Sequence, residues 1–374
     1  GPGSLTLATK VGAQYRYELL WVVWIAVFFM LIYTEMGVRI GLAGDRSALE
    51  LIRDKWGPVL TWLIGIGVFL ITASFQAGNA IGVGLAMGEL TGTDRRLWVL
   101  AFSGAAMLLV ALPTFYRRLE RVMIALCLVM LLAFFITLVV VRPRGGLMLA
   151  GLAPSVPAGA WPLLIAMVAS SFSVVGAFYQ SYLVREKGWR PADRSTAGRE
   201  AFSGILILGL ISSMVLVSAG AVLFSRQAPV TSANDMALAI EPAFGTGAAY
   251  VLLFGLFGAS FSSLIGNATI GGALLAESLG LGYRLDQGRV RLVIGLVMLA
   301  GALVAVIFGR LPLELIVFAQ GLTIFVAPLI GWVMLALAGD RARMGALVNG
   351  PFSRLAGMAG LLLLLLLAAV NFNV

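Results

Sequence analysis

The sequence predicts an all-α membrane protein that crosses the bilayer many times, and three observations support this fold class. The chain has 374 residues, of which 60% are hydrophobic and 11% are charged. A soluble domain has about 45–50% apolar and about 25% charged residues. The mean hydropathy is +1.01, and apolar runs of about the 20 residues that a membrane-spanning helix needs recur along the whole chain. This composition excludes a soluble enzyme and a disordered regulator.

The charged residues are few and mostly basic. There are 26 Lys and Arg against 17 Asp and Glu, which gives a net charge of +9. Because the basic residues are dispersed between apolar runs, we expect no nucleic-acid partner and only the lipid bilayer as an anionic surface. The single cysteine, Cys127, excludes a disulfide framework and a Cys-based metal site. The chain has no histidine, so any transport mechanism works without the usual side chain of proton relays.

Each predicted span is an apolar run between charged residues or Pro/Gly breaks. Ten runs are long enough to cross the bilayer. They are 18–43, 56–88, 97–115, 119–141, 160–186, 199–225, 248–279, 290–309, 312–338 and 353–374. A shorter apolar segment, 3–16, precedes them, and we interpret it as the second half of a helix whose first half is missing.

The positive charges predict the orientation. If the 3–16 segment runs outward, most of the 26 Lys and Arg lie on the inner side, and the loop from Arg185 to Arg199 is the richest in them. Inner loops of membrane proteins carry the excess of Lys and Arg. We therefore predict a multi-pass protein of a bacterial inner (plasma) membrane with its N-terminus in the cytoplasm.

Two short stretches interrupt the hydrophobic segments. One is Gly1-Pro2-Gly3-Ser4, and the other runs from Ser170 to Gly176 within the fifth full-length span. They stand at matching positions of two five-helix sets, 1–159 and 160–338. This pattern predicts a single transporter domain built as an inverted repeat, with an extra helix at 353–374 and an ion site near the bilayer midplane. The alternative is a kinked but continuous helix at the second stretch.

The first interruption and the residues after it resemble the first-helix region of the Nramp metal-ion transporters. That family has Asp-Pro-Gly-Asn followed, at the same ungapped spacing, by Gly-Ala-x-Tyr-Gly-Tyr-x-Leu-Leu-Trp. This chain has Gly12-Ala13-Gln14-Tyr15-Arg16-Tyr17-Glu18-Leu19-Leu20-Trp21 at that place. Residues 117–120, 181–184, 344–349 and 368–371 also resemble the family. The resemblance implies an eleven-helix transporter of the LeuT-like fold, a 5+5 inverted repeat plus an eleventh helix, with the first half-helix missing.

The residues that hold the metal in that family are replaced here, which indicates a divergent branch. The resemblance implies metal ligands at an Asp and an Asn of the first motif and at the Met of a Met-Pro-His motif in the sixth helix. Those ligand positions fall on Gly1, Ser4 and Ser173, and the Pro and His fall on Val174 and Val175. A later histidine and the proton-path Asp and Glu of the family fall on Gln180, Gln76 and Asn79.

These replacements remove charges and soft ligands from the predicted site. A dehydrated divalent cation needs anionic or strong donor ligands, and a charge buried without a partner is costly. Two half-helix N-termini remain, near Pro2-Gly3-Ser4 and near Gly176, and each presents unpaired N–H groups and about half a positive unit charge. Such ends bind anions. With the Ser4 and Ser173 hydroxyls as further donors, we predict a site for a small oxyanion, and bicarbonate is the leading candidate.

Several of these residues also have a purely structural interpretation. Serine in a membrane helix often bonds back to its own turn. Gln76 and Asn79 are predicted to add amide donors to the cavity, or else only to bridge helices. Lys10 is predicted to add a positive charge to the outward half of the site, or else to snorkel outward. Glu35 and Arg39 are predicted to form an i,i+4 ion pair.

The eighth predicted helix is unusually polar. Its polar residues are Ser260, Ser262, Ser263, Asn267 and Thr269. In LeuT-like folds this helix can help to hold sodium together with carbonyl groups of the unwound first helix. The resemblance therefore implies a Na⁺ coupling site at Ser262, Ser263 and Asn267, and we expect no other cofactor.

The predicted function is secondary active transport of a small inorganic anion, bicarbonate first, by alternating access and coupled to sodium rather than to protons. Two alternatives stay open. One is a divalent-metal transporter for Mn²⁺ or Mg²⁺ with a relaxed site, and the other is a non-transporting receptor or scaffold on a transporter fold. The sequence predicts no enzymatic activity and leaves the oligomeric state open.

Overall fold

The computed structural model describes residues 1–227, 229–308 and 312–371, and within these ranges it contains helices and no β-strand. Seven helices form the first part of the chain. They are α1 (Pro2–Tyr15), α2 (Leu20–Leu42), α3 (Ala48–Trp56), α4 (Pro58–Thr91), α5 (Arg95–Val110), α6 (Pro113–Val141) and α7 (Gly145–Ala150). Proline stands in the first turn of α1, α4 and α6, where its missing N–H costs no intrahelical hydrogen bond.

The second part of the chain begins with a helix that breaks in its middle. Its helices are α8 (Trp161–Ser171), α9 (Val174–Glu186), α10 (Arg194–Val222), α11 (Ala233–Ala237), α12 (Glu241–Phe244), α13 (Ala248–Ser278), α14 (Gly288–Phe308), α15 (Pro312–Leu322), α16 (Ala327–Ala338), α17 (Arg341–Met344) and α18 (Pro351–Asn371).

The number of membrane-spanning segments agrees closely with the sequence prediction. Within the described ranges, eight stretches are long and apolar enough to cross a membrane, and α15 with α16 adds a ninth, bent span. The one remaining predicted span, 97–115, corresponds to α5, whose 16 residues reach about 24 Å at about 1.5 Å per residue. The prediction of an all-α polytopic membrane protein is confirmed.

The predicted boundary between the third and fourth spans is wrong. We predicted spans at 97–115 and 119–141, but α5 ends at Val110 and α6 begins at Pro113. A proline inside a helix lacks the N–H for the i→i−4 hydrogen bond and clashes with the preceding turn. Pro113 therefore ends the continuity of the first run and starts the next helix.

The predicted continuous span at 312–338 is also wrong. The chain tightens to a 3₁₀ turn at Thr323–Phe325, and the helices on either side of the break are inclined by 43°. Pro328 lies in the first turn of α16, so the α-helical hydrogen bond that a straight helix would need there is absent. Two predicted span ends, one at residue 309 and one within residues 372–374, lie outside the described residues.

Two ion pairs stabilise one end of the bundle, one within α2 and one between α3 and the start of α17. Arg39 is buried, and its Nη2 lies 2.6 Å from the Glu35 carboxylate, which confirms the predicted i,i+4 pair. Lys55 at the end of α3 donates to Asp340 at 2.6 Å. This hydrogen bond, together with one from Arg343, lowers the pKa of Asp340 to about 2.

Close helix packing holds the broken helix in place. A Cβ atom on Gly37 of α2 would overlap the Ala177 carbonyl oxygen of α9, and one on Gly41 would overlap the Ser181 carbonyl oxygen. Small residues four apart let two membrane helices approach at backbone distance. Helix α1 is mostly buried and packs against α10, α8 and α15, so its first turn lies inside the bundle.

Candidate ion-binding site

The first broken element is the start of α1. Helix α1 begins at Pro2, directly after Gly1, and no side chain caps it. The N–H groups of the first turn of a helix have no acceptor within the helix. Pro2 and Gly3 are buried and Ser4 is half-buried, so these N–H groups lie in the interior of the bundle and not at a membrane surface.

The second broken element lies between α8 and α9. Phe172 and Ser173 leave the helical conformation, with ψ angles of 68° and 86°. The Phe172 ring packs on Tyr33, with ring centroids 5.1 Å apart, which anchors the break in the core. The interruption is therefore present, but the second half-helix begins at Val174 and not near Gly176 as we predicted.

Ser173 caps the second half-helix. Its hydroxyl accepts a hydrogen bond from the Gly176 N–H at 3.3 Å, as serine commonly does at a helix start. This satisfies one N–H group of the first turn and leaves those of Val174 and Val175 without an intrahelical acceptor. Ser173 thus follows the structural interpretation in which serine bonds to its own turn.

A hydrogen bond between side chains joins the two broken elements. The Ser4 and Ser170 hydroxyls are 2.9 Å apart, although the residues are 166 positions apart in the sequence. Both side chains are only half-buried, which is the accessibility expected of residues that line a cavity. The two interruptions predicted from the sequence therefore meet in space.

Gly1 lies where α1 approaches α4 and α13. A Cβ atom on Gly1 would lie 2.8 Å from Ser263 Oγ and 3.5 Å from Asn79 Oδ1. The predicted site residue Asn79 and the predicted sodium-site residue Ser263 therefore both face the start of α1. A side chain at position 1 would enter the space that they border.

Gln76 is a bridge between helices. Its Nε2 donates to the Leu264 carbonyl, and its Oε1 accepts from Asn79 Nδ2 at 3.2 Å and from Asn267 Nδ2 at 3.3 Å. The side chain is fully buried. The carbonyl oxygen of this amide is committed to α4 and α13, so the helix-bridging interpretation describes Gln76 better than the role of a cavity donor.

Asn267 is committed in the same way. Its Nδ2 also donates to the Thr72 carbonyl at 2.7 Å, so its amide group joins α13 to α4. Among the residues predicted to hold sodium, Ser263 is the one that borders Gly1, and Ser262 is half-buried beside it.

Lys10 has a partner that the sequence does not reveal. It is 8% exposed and its ammonium nitrogen lies 3.4 Å from the Glu314 carboxylate at the start of α15. Lys10 therefore does not snorkel into open water. Its charge is also opposed by a carboxylate, so it adds less positive field to the site than we predicted.

Three further residues belong to the site and were not predicted as site residues. Ser260 is fully buried, its hydroxyl has no hydrogen-bond partner in the described part of the chain, and it lies beside Pro2 across Gly82. Gln320 packs on Gly3, and Met30 approaches Gly176. The only sequence signal for them is a polar or soft side chain within an apolar helix.

The site lacks clustered metal ligands. No group of three or more His, Cys, Asp or Glu that could hold a metal ion occurs among the described residues. The groups around the two breaks are hydroxyls, amides, backbone N–H groups, the carbonyl groups at the end of α8 and the Met30 thioether. Such groups donate and accept hydrogen bonds but supply no negative charge.

A cavity lies beyond α9, on the side of the Arg185–Arg199 loop. It has a volume of about 990 Å³. Its lining includes Tyr179, Tyr182, Arg185, Glu186, Ala273 and Tyr283. We call this cavity the vestibule. Tyr179 and Tyr182 lie on α9, the half-helix that begins at the Ser173 break.

A comparison with known families decides what kind of protein this is. The family model described as natural resistance-associated macrophage protein-like matches residues 1–373. The chain belongs to the Nramp family. The resemblance that begins with Gly1-Pro2-Gly3-Ser4 is thereby confirmed, and the chain is a multi-pass membrane protein and a secondary transporter of this family.

Relatives in this Nramp family are named for divalent metals. A divalent metal cation transporter MntH of Pectobacterium carotovorum is 26% identical over 382 residues, covering 99% of this chain and 89% of the relative. The protein of the same name from Deinococcus radiodurans is 24% identical over 363 residues, covering 93% and 80%. A bacterial inner membrane fits such relatives.

Solved structures show the same fold. A mutant of the Eremococcus coleocola manganese transporter matches with a TM-score of 0.77 at 19% identity, over 99% of this chain and 83% of that one. MhsT in complex with L-phenylalanine matches with a TM-score of 0.62 at 13% identity, over 98% of both chains. The predicted LeuT-like fold is confirmed. The comparisons do not support bicarbonate, and they favour the divalent-metal alternative.

Proposed function

We propose that this Nramp-family chain carries a small inorganic ion by alternating access, and that the ion is a monovalent oxyanion such as bicarbonate. The ion would bind where the start of α1 meets the break between α8 and α9. The Ser4–Ser170 contact of 2.9 Å supports this place, because it joins the first turn of α1 to the last turn of α8, directly before the break at which α9 begins.

The observation that carries the proposal is that no group of three or more His, Cys, Asp or Glu side chains that could hold a metal ion occurs in the described part of the chain. A dehydrated divalent cation would lie among neutral donors and two helix N-termini, whose partial charges repel it. An anion instead finds the N–H groups of two first turns.

A second observation supports a ligand at this point. The buried Ser260 hydroxyl has no partner among the described residues and lies beside Pro2. A buried hydroxyl without a partner costs roughly 1–3 kcal/mol. An oxyanion seated at the first turn of α1 would accept its hydrogen bond.

Divalent-metal transport is the second candidate, and kinship favours it. The relatives named above are divalent metal cation transporters, and they align with nearly the whole chain. A metal ion here would keep much of its water shell and bind through Ser4, Ser173, backbone carbonyls and the nearby Met30 thioether.

The coupling ion that we propose is sodium, because the histidine and carboxylates of the family's proton path are replaced.

Transport into proteoliposomes distinguishes the candidates. We would measure uptake of labelled bicarbonate with and without a sodium gradient, beside uptake of Mn²⁺ and Mg²⁺. The proposal expects saturable bicarbonate uptake that the sodium gradient accelerates, and no saturable metal uptake. Metal uptake without bicarbonate uptake would establish the second candidate. No flux of any of these ions would favour the non-transporting scaffold.

A further inference from the structure

A buried carboxylate lies directly behind the vestibule. Glu277, in the last turn of α13, is 8% exposed, and Ala273, one helical turn earlier on the same face, lines the vestibule. Glu277 Oε2 has no hydrogen-bond partner among the described residues. Glu277 also takes part in none of the ion pairs found there.

Two hydroxyl groups from other elements face this carboxylate. Ser47, in the loop before α3, donates its hydroxyl hydrogen to Glu277 Oε1. The Tyr182 hydroxyl on α9 interacts with the same carboxylate and accepts a hydrogen bond from the Leu49 N–H at 3.3 Å. Three segments that border the vestibule therefore meet at one acidic group.

The neighbouring charges do not neutralise Glu277. The Arg185 guanidinium donates to the Asp45 carbonyl, and Arg53 donates to the Ser278 carbonyl at 3.1 Å. Glu50, a like charge, accepts from the Ser47 N–H at 2.7 Å. The Ser47 and Tyr182 hydroxyls and the Arg185 charge offset part of the cost of burying this carboxylate. It has no ion-pair partner among the described residues, so a bound cation would stabilise its ionised form.

We propose that Glu277, with the Ser47 and Tyr182 hydroxyls, binds one monovalent cation from the vestibule, and that this cation couples transport. The ligand is Na⁺, the coupling ion proposed above, since it neutralises a carboxylate and suits hydroxyl oxygen neighbours, and binding of a proton instead is the other outcome of the test. The proposal rests on the proposed function, because coupling requires transport. Binding would link α13 to α9, the half-helix that starts at the site, so occupancy favours one conformation over the other.

Glu277→Gln tests the proposal because glutamine keeps the shape of the neutralised carboxyl group. Uptake of the ion that the wild type carries would be driven by a sodium gradient in one arm and by a pH gradient in the other. The wild type is expected to respond to one gradient, and Glu277→Gln is expected to lose that stimulation while it still exchanges substrate across the membrane. The arm that loses its effect identifies the cation.

Glu241→Gln is the matched control. Glu241 lies at the opposite end of the same span, is half-buried, and pairs with Arg226 at 2.7 Å, so its variant should keep the stimulation. If Glu277→Gln keeps the stimulation that the wild type shows with its effective gradient, the proposal is overturned.

A second measurement separates this inference from the proposed function. In detergent, the melting temperature of the wild type is expected to rise with Na⁺ or with falling pH, and Glu277→Gln is expected to lose that shift. If the wild type shows the shift but transports nothing, the cation site stands and the proposed function fails. An equal shift in both proteins would overturn the site.

Tyr182→Phe keeps the inference testable if Glu277→Gln does not fold. It removes one hydroxyl and keeps the ring that stacks on Tyr179, whose centroid is 5.8 Å away. Loss of one hydrogen bond to the charged group is expected to raise the half-maximal cation concentration about 10- to 100-fold. An unchanged concentration would contradict the role of Tyr182 and of the site.

Discussion

Gly1→Asp introduces a negative charge into the proposed anion site. The Cβ atom would lie 2.8 Å from Ser263 Oγ and 3.5 Å from Asn79 Oδ1, so the carboxylate would stand beside the first turn of α1. An anion on those N–H groups would lie about 5 Å away, and like charges at that distance repel by about 3 kcal/mol at an effective dielectric constant of about 20. We expect about a 100-fold loss of affinity.

The assay is the concentration dependence of bicarbonate uptake into proteoliposomes. Gly1→Asn is the matched control, because it has nearly the shape of aspartate and meets the same Ser263 hydroxyl without the charge. The KM of Gly1→Asp should exceed that of Gly1→Asn by about 100-fold. Equal KM values for the two variants would refute an anion at the start of α1.

Three further predictions concern the scaffold and its pH dependence. Gln76→Leu removes three buried hydrogen bonds, so the free energy of unfolding in detergent should fall by about 3 kcal/mol, whereas Gln14→Leu at an exposed position should change it little. Gly37→Val pushes a side chain into the α9 backbone and should lower the melting temperature and transport together, whereas Gly104→Val has open space around it and should do neither. Asp340 has its pKa lowered to about 2, so its contribution to stability is full above its unfolded pKa of about 4 and is lost as pH falls toward 2. Asp340→Asn should therefore melt at a lower temperature than the wild type at pH 6, and the two melting temperatures should converge as the pH approaches 2. A difference in melting temperature that stays constant with pH would contradict the lowered pKa of Asp340.

Composition and the lengths of the apolar runs were sufficient for the fold class, and the paired breaks predicted the proposed site. Long apolar runs predict membrane-spanning helices, because backbone N–H and C=O groups inside the lipid must form their hydrogen bonds within the protein, as they do in a helix. The break at Phe172–Ser173 could be predicted because a polar serine run interrupts an apolar helix at a position that matches the first break. The bend before Pro328 was not predicted, because we treated the apolar run 312–338 as one span although it contains a proline.

Residue roles within the site were harder to predict, because they depend on partners far away in the sequence. Nothing near Gln76 in the sequence shows that Leu264 and Asn267 will bind its amide group. Lys10 likewise finds Glu314 only through the packing of α1 on α15. In the sequence, Glu277 only marks the end of an apolar helix, and the fold brings Ser47 and Tyr182 to it.

Titration calorimetry on the purified wild-type protein tests whether the proposed site binds an anion or a divalent cation. Bicarbonate and Mn²⁺ would be titrated separately into protein in detergent, each with a matched injection into buffer. We predict saturable binding heat for bicarbonate and none for Mn²⁺, because two helix N-termini meet at the proposed site and no cluster of three or more acidic, histidine or cysteine ligands occurs among the described residues. Saturable Mn²⁺ binding with no bicarbonate binding would contradict it.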